Sequence, residues 1–192
     1  MSKTYPFQTI IFNGPPNSGK DEAAAYVEKT LGAHRMQFKQ HLFELAFVMF
    51  NVSPGEFFEL YDNRETKEVP TCLLNGFSPR NALIYVSETV MKPNFGMDYF
   101  GRIAAEQMEY GVNVFSDGGF VEEIDPVYTQ SDGRLLIVRL HRPGCDYSLD
   151  SRNYIYNNKY ISVDLHNDSS LEIFHLRIAD VVGRFLDGEI NG

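Results

Sequence analysis

Gly14-Pro15-Pro16-Asn17-Ser18-Gly19-Lys20 fits G-x-x-x-x-G-K, the phosphate-binding P-loop that carries a chain from a strand into a helix. Its flanks agree with that reading. Thr9-Ile10-Ile11-Phe12-Asn13 is apolar and β-prone, as a buried strand must be. Residues 21–31 hold Glu22, Ala23, Ala24, Ala25, Glu28 and Lys29, all good helix formers. Gly14 and Gly19 let the backbone curl so that successive N–H groups converge on an anion. The helix that follows adds its N-terminal dipole. Lys20 adds a mobile positive charge able to follow a transferring phosphoryl group.

Gly14, Pro15, Pro16, Asn17, Ser18, Gly19, Lys20 and Asp21 are therefore the expected phosphate cradle. One position departs from the general pattern. Ser or Thr normally follows the lysine and meets Mg²⁺ through its hydroxyl. Here Asp21 stands there, followed by Glu22. A carboxylate must then hold the metal directly or through water, which makes Asp21 a candidate metal ligand.

The chain has 192 residues, enough for one domain with a sizeable core, and one domain over residues 1–192 is expected. A formal net charge of −9 argues against a surface built for DNA or RNA backbones, which need clustered positive charge. Cys72 and Cys145 are isolated and lack metal spacing, which suits a reducing cytosol. Met1 to Phe7 is too short and polar for a signal peptide, and no apolar run approaches a membrane span. A cytoplasmic location is expected: the host cytoplasm, if a phage encodes the chain.

Downstream of the loop, Gly32 reads as a helix stop and residues 34–38 as a second strand. From Lys39 the pattern is helical, with Leu42, Leu45, Ala46 and Met49 on one face. Phe43, Phe47 and Phe50 read as cover for a core rather than as base stackers. Ser53-Pro54-Gly55-Glu56 is a helix start with a capping box, and the helix runs to about Tyr61. Residues 62–68 form a charged loop from which Arg64 and Lys67 can reach an anionic ligand. Ser78-Pro79-Arg80 opens another helix, with Ala82, Val86 and Val90 on one face. Arg80 in its first turn opposes the helix dipole, and a bound anion would offset that cost. The next helix begins at Asp98 or a neighbour, with Gly111 as its stop.

Val112-Asn113-Val114-Phe115-Ser116 is a short strand ending in Asp117-Gly118-Gly119-Phe120. An acidic residue at the carboxyl end of a buried strand is the Walker-B arrangement, which makes Asp117 the second candidate for Mg²⁺. Asp125-Pro126 reads as the cap and first position of a short helix. Residues 135–141 form a strand that is apolar except for Arg139, broken by Arg142-Pro143-Gly144. A polar loop continues through Asp150, Ser151, Arg152 and Asn153. Residues 160–165 form the last strand, and Ser169-Ser170-Leu171-Glu172 caps a final helix that ends at Asp187-Gly188. Five strands separated by helices imply a parallel sheet with helices on both faces. Ligands bind such sheets beyond the carboxyl ends of the strands, where the P-loop, Asp117 and Arg142 all fall.

Four stretches together resemble the bacteriophage deoxynucleoside monophosphate kinases: Gly14 to Asp21, Ser78-Pro79-Arg80, residues 116–123 and Arg142-Pro143-Gly144. The resemblance covers roughly residues 8 to 187. It implies an α/β P-loop NTPase three-layer sandwich with a five-stranded parallel sheet of order 2-3-1-4-5. It further implies a helical cover for the monophosphate over about residues 39–111 and a short lid over residues 142–153. The implied activity is transfer of the ATP γ-phosphoryl to a deoxynucleoside monophosphate, giving the diphosphate and ADP with Mg²⁺. Lys20, Asp117, Arg142 and Arg152 become the implied catalytic residues. Arg80, Arg64 and Lys39 become the substrate-binding ones. Asp146 and Asp150 become lid acids that pair with the arginines in an open state. ATP and the monophosphate are the implied partners, with neither a nucleic-acid polymer nor a membrane, and a homodimer is left open. Two alternatives stand beside this reading: a P-loop kinase for another small acceptor, and a nucleotide-binding module without turnover.

Overall fold

The computed structural model describes residues 6–118, 120–148 and 152–190. Gly119 of the Asp-Gly-Gly-Phe stretch, Asp150 and Ser151 of the polar loop, and the first five residues lie outside the described residues. The strands are β1 (Phe7–Asn13), β2 (His34–Met36), β3 (Gly111–Phe115), β4 (Leu135–His141) and β5 (Ile161–His166). The helices are α1 (Lys20–Leu31), α2 (Gln40–Phe50), α3 (Pro54–Tyr61), α4 (Pro79–Ile84), α5 (Lys92–Phe95), α6 (Tyr99–Glu106), α7 (Val121–Gln130) and α8 (Leu171–Leu186). All four strand pairings are parallel, in the order β2-β3-β1-β4-β5.

Two compact units share the chain. The first is residues 1–38 with 101–192, and the second is residues 39–100. In the first, alternate residues of each central strand serve opposite layers, because successive side chains of a strand point to opposite faces. Ile10, Phe12, Val114, Leu136 and Val138 pack with Ala23 and Val27 of α1 and Phe174 and Ile178 of α8. Ile11, Phe115, Leu135 and Ile137 pack with Ile124 and Val127 of α7. Ile10, Ile11 and Phe12 have no exposed surface, as the innermost strand requires. Each such side chain contributes about 1.5–3 kcal/mol relative to exposure.

The second unit is helical and has its own core. Phe43 meets Phe57, Phe58 and Tyr61 edge-on, with centroids 5.0–6.1 Å apart. Ser53 accepts the Glu56 N–H while Glu56 accepts the Ser53 N–H, the expected capping box of α3.

Three expected boundaries are corrected. The helix from Ser78 does not continue as one α-helix: residues Tyr85–Met91 form a π-helical turn, and the Lys92 N–H reaches the Ser87 carbonyl five residues back. The extra residue moves the buried stripe from Val90 to Met91, so Val86 and Met91 are buried and Val90 is only partly so. Gly111 does not stop a helix. α6 ends at Glu106, and Gly111, with φ of 105°, is the first residue of β3. The Asn113 side chain builds the turn between them by bonding the Glu109 N–H and carbonyl. Asp125-Pro126 does not begin a helix either. α7 starts at Val121, where the Glu123 carboxylate accepts the Phe120 N–H at 3.2 Å. Pro126 lies inside α7, and the Asp125 carboxylate is taken up by the Tyr160 hydroxyl and Lys159.

Candidate functional site

Because the sheet is parallel, the carboxyl ends of β1, β3, β4 and β5 lie along one edge. β1 delivers the loop 14–20, β3 delivers Asp117, β4 delivers Arg142 and β5 delivers Asn167. The loop enters α1 through Gly19, whose φ of 106° suits glycine alone. A Cβ there would also lie 2.7 Å from the Asn167 amide nitrogen. Asn167 holds the loop from the β5 side: its Nδ2 donates to the Ser18 carbonyl at 2.9 Å, and its own N–H donates to the His141 carbonyl at 2.7 Å. The Lys20 ammonium folds over the loop and donates to the carbonyls of Gly14 and Pro15 at 2.6 and 2.7 Å. The Ser18 hydroxyl is buried without a hydrogen-bond partner.

Asn13, at the end of β1, is 1% exposed and joins three pieces of chain. Its Nδ2 donates to the carbonyls of Gly118 and Asn153, and its Oδ1 accepts the Ile155 N–H at 3.0 Å. Gly118 sits so close to β1 that a Cβ would fall 2.6 Å from the Phe12 carbonyl. Asp117 is thereby pressed against the loop strand. It is 8% exposed, and its carboxylate accepts the Phe38 N–H at 3.1 Å. Beside it Ser116 accepts from the Gln37 amide at 3.0 Å. Asp21, by contrast, is exposed and bonded to Arg35 at 3.2 Å. Among the described residues no three His, Cys, Asp or Glu side chains gather as a metal cage. A site in which one or two carboxylates and substrate phosphates share Mg²⁺ does not need one.

Arg142 and Arg152, the arginines of the expected lid, both touch this edge. Arg142 Nη1 donates to the Asn17 carbonyl at 3.0 Å, and Arg152 Nη1 donates to the Asp117 carbonyl at 3.4 Å. Asp146 does not pair with either in the described contacts. It accepts the Ser148 N–H at 2.9 Å and the Ser148 hydroxyl, which hold its carboxyl below the usual range.

Arg139, a charge within an otherwise apolar strand, is explained by β5. It is 7% exposed, and its Nε and Nη2 donate to the two Asp164 oxygens at 2.8 Å each, a bidentate pair. The guanidinium holds the Asp164 carboxyl far below its ordinary value, with His141 Nε2 at 2.6 Å adding to the effect. His141 then packs on Tyr154, whose phenol is pushed up by burial. These rings and Arg142, Tyr147 and His166 line a cavity of about 380 Å³.

Lys39, Arg64 and Arg80 belong to the second unit. Arg80 occupies the second position of α4, and Glu68 lies 3.6 Å from it, a local acid that offsets its opposition to the dipole. Lys39 lies over the Phe43 ring at 5.8 Å, and Lys67 over Tyr61 at 3.7 Å. Arg64 is exposed.

Sequence reasoning missed Asn13, Asn167 and the Arg139–Asp164–His141 chain. Asn13 left one trace, an amide closing an apolar strand directly before the glycine. Asn167 left none, because its partner is 149 positions away.

No protein-family model matches the sequence, and no curated protein matches it. Solved structures share the fold. A sugar kinase from Janibacter sp. HTCC2649 is 12% identical with a TM-score of 0.50, covering 93% of this chain and 95% of its own. A gluconokinase from Sinorhizobium meliloti 1021 is 11% identical with a TM-score of 0.47, covering 97% of each chain. The Mycobacterium tuberculosis APS kinase, solved with AMPPNP and APS, is 13% identical with a TM-score of 0.49, covering 96% of this chain and 99% of its own. The five-stranded parallel sheet in the order β2-β3-β1-β4-β5, with helices around it, is an architecture this chain shares with the sugar kinase.

Proposed function

We propose that this chain is an ATP-dependent phosphotransferase whose acceptor is a deoxynucleoside monophosphate. One observation carries the phosphotransfer reading: the lysine of the G-x-x-x-x-G-K loop, a buried aspartate and two arginines converge on adjacent strand ends. That set suits a reaction in which little covalent work falls to the protein and charge neutralisation dominates. The acceptor half rests on the motif resemblance and on the cations of the second unit.

The bond from the γ-phosphorus to the β–γ bridging oxygen breaks, and a bond from the same phosphorus to an acceptor phosphate oxygen forms. ADP leaves, and the acceptor gains one phosphoryl group. The attacking oxygen is already anionic, so no strong general base is required. The loop N–H groups and the unpartnered Ser18 hydroxyl bind phosphate oxygens. Lys20 exchanges its two carbonyl partners for the β- and γ-phosphates. Arg142 and Arg152 neutralise the equatorial oxygens in the transition state. Asp117 would hold Mg²⁺ through its water shell, and Asp21 would join only by releasing Arg35. The ion would supply further charge neutralisation to the transferring phosphoryl group. The nucleotide base suits the ring-lined cavity beside Arg142, where stacking on His141 and Tyr154 is available.

The described likeness to a sugar kinase favours a second acceptor class, a small hydroxyl compound. A coupled ADP-release assay with ATP and Mg²⁺ against all deoxynucleoside and ribonucleoside monophosphates, and against small sugars and sugar acids, separates the two. Turnover with a deoxynucleoside monophosphate is the expected result. Turnover with sugars alone overturns the acceptor assignment, and turnover with none overturns the kinase reading.

A further inference from the structure

The turn after α4 carries an ion pair that the phosphotransfer chemistry leaves unused. Lys92 is 4% exposed, and its ammonium donates to the Glu88 carboxylate at 2.8 Å. The buried Ser87 hydroxyl donates to the same oxygen, Oε1, at 2.7 Å. The other oxygen, Oε2, accepts no bond among the described residues. The pair is lopsided: the cation is buried, while the acid it holds is 45% exposed. For stability alone, a buried cation gains little, because its desolvation offsets the attraction and an apolar residue in its place is often as good. What the lysine and serine secure is the direction of the carboxylate. Burial opposes the Glu88 charge, but the hydrogen bonds from Lys92 and Ser87 outweigh it and hold the carboxyl below its ordinary value. Oε2 is thus a fixed, ionised acceptor turned toward the open side of the helix.

The π-helical turn decides where that acceptor stands. In an α-helix, direction drifts by about 40° over every four residues, which would carry position 88 about 80° around from Arg80. The wider turn over Tyr85–Met91 takes that drift back, and single π-turns within helices frequently mark functional sites. Arg80, Ile84 and Glu88 therefore share one stripe, opposite the buried Ala82, Leu83 and Val86. Ile84, between the two charges, is 47% exposed. Eight residues at the α-helical rise set Arg80 and Glu88 about 12 Å apart along the axis. A cation, an apolar step and an anionic acceptor, in that order, match the phosphate, the ring face and the outer base edge of a mononucleotide.

We propose that Glu88 reads the base of the acceptor monophosphate and selects guanine. The assignment rests on the acceptor reading given above, with Arg80 on the acceptor phosphate. Guanine sets two donors side by side on its pairing edge, the ring N1–H and the 2-amino group, and the two open lone pairs of Oε2 can take both. Thymine offers one N–H between two carbonyl oxygens, which would meet Oε2 as acceptor against acceptor. The ring of the base lies on Ile84.

The test compares kcat/KM for dGMP, dIMP and dTMP, with ATP and Mg²⁺, in the ADP-release assay. dIMP is dGMP without the 2-amino group, so the first comparison needs no variant. The wild type is expected to favour dGMP over dIMP by about tenfold or more, the discrimination that a good pair of base contacts gives. In Glu88→Gln, Lys92 and Ser87 keep the amide oxygen, so an NH2 group replaces Oε2 and meets donors with a donor. The dGMP-to-dIMP ratio is expected to fall close to one, with the KM for ATP unchanged. Ser87 is a positioning residue, and Ser87→Ala is expected to lower the same ratio by a smaller factor. A wild type indifferent to the 2-amino group, or one that takes dTMP ahead of dGMP, overturns the role of Glu88 and leaves the kinase reading standing. So does a ratio that Glu88→Gln leaves unchanged. Turnover with no monophosphate at all overturns the acceptor reading, and the role of Glu88 with it.

Discussion

The guanidinium of Arg142 donates to the carbonyl of Asn17 at 3.0 Å, joining two residues 125 positions apart. Asn17 has a φ of 63°, a left-handed conformation rarely adopted outside glycine, so the tip of the P-loop is held from outside by the end of β4. The same arginine lines the ring-walled cavity, so one side chain touches both the phosphate loop and the proposed base site. Arg142→Ala is expected to lower kcat by about a hundredfold or more while changing either KM far less, because its charge is needed chiefly in the transition state. Arg152→Ala is expected to behave alike. Hydrogen exchange over residues 143–153 is expected to slow when a dinucleotide polyphosphate is bound. Near-normal kcat in both variants with unchanged exchange rules out the lid.

Lys20→Ala is expected to fold normally and to lose nearly all turnover. Its ammonium donates to the Gly14 and Pro15 carbonyls of its own loop, and Lys20 is not part of the buried apolar core. Circular dichroism and the ADP-release assay read the two halves of this expectation. A variant with wild-type turnover places phosphate elsewhere.

Asp117→Asn keeps an oxygen to accept the Phe38 N–H but removes the negative charge. Mg²⁺-dependent activity is expected to fall by about a hundredfold, near 3 kcal/mol in the transition state. A titration of activity against Mg²⁺ measures it. An unchanged Mg²⁺ profile returns Asp117 to a turn-forming role.

Arg80→Ala is expected to raise the KM for the monophosphate much more than that for ATP. Glu68 offsets the dipole in the absence of ligand, so the fold itself is expected to tolerate the change. Equal effects on both substrates move Arg80 out of the acceptor site.

Asp164→Asn leaves the buried Arg139 without its counter-charge. A loss of about 2–3 kcal/mol at neutral pH is expected, below the full cost of breaking a buried pair because Asp164 itself is half-exposed. Folding holds the Asp164 carboxyl well below its ordinary value. Its contribution is therefore complete above the unfolded carboxylate range, about pH 4, and fades as pH falls further. Urea unfolding of both proteins from pH 7 to pH 2 is expected to show the stability gap narrowing in acid. A constant gap removes the ion pair from the account.

β1, β3 and β4 were legible because each is a short, largely apolar run beside glycine or a charged turn, and the loop 14–20 named its own place at the end of β1. What escaped were features set by partners distant in the chain. Arg139 interrupts an apolar strand for a reason that lies on β5, 25 positions on. Phe120 carries no capping side chain, so the start of α7 was hidden, whereas Asp125-Pro126 imitates one. A period of 3.6 residues has no way to announce the extra residue between Val86 and Met91. The acid at the end of β3 was visible, but not the Phe38 N–H that turns its carboxylate.

The division of the chain at residues 38 and 101 sets an order of assembly. Residues 39–100 are continuous, and their contacts are local enough to close as soon as they are synthesised. β1 has no such opportunity. Its neighbours are β3 and β4, so the first strand made must wait through more than half the chain before either edge is satisfied. During that interval Ile10, Ile11 and Phe12 form an apolar, unpaired strand followed by an unsupported glycine loop, the segment most exposed to mispairing. The phosphate cradle is thus translated before both neighbours of its strand and completed only after them.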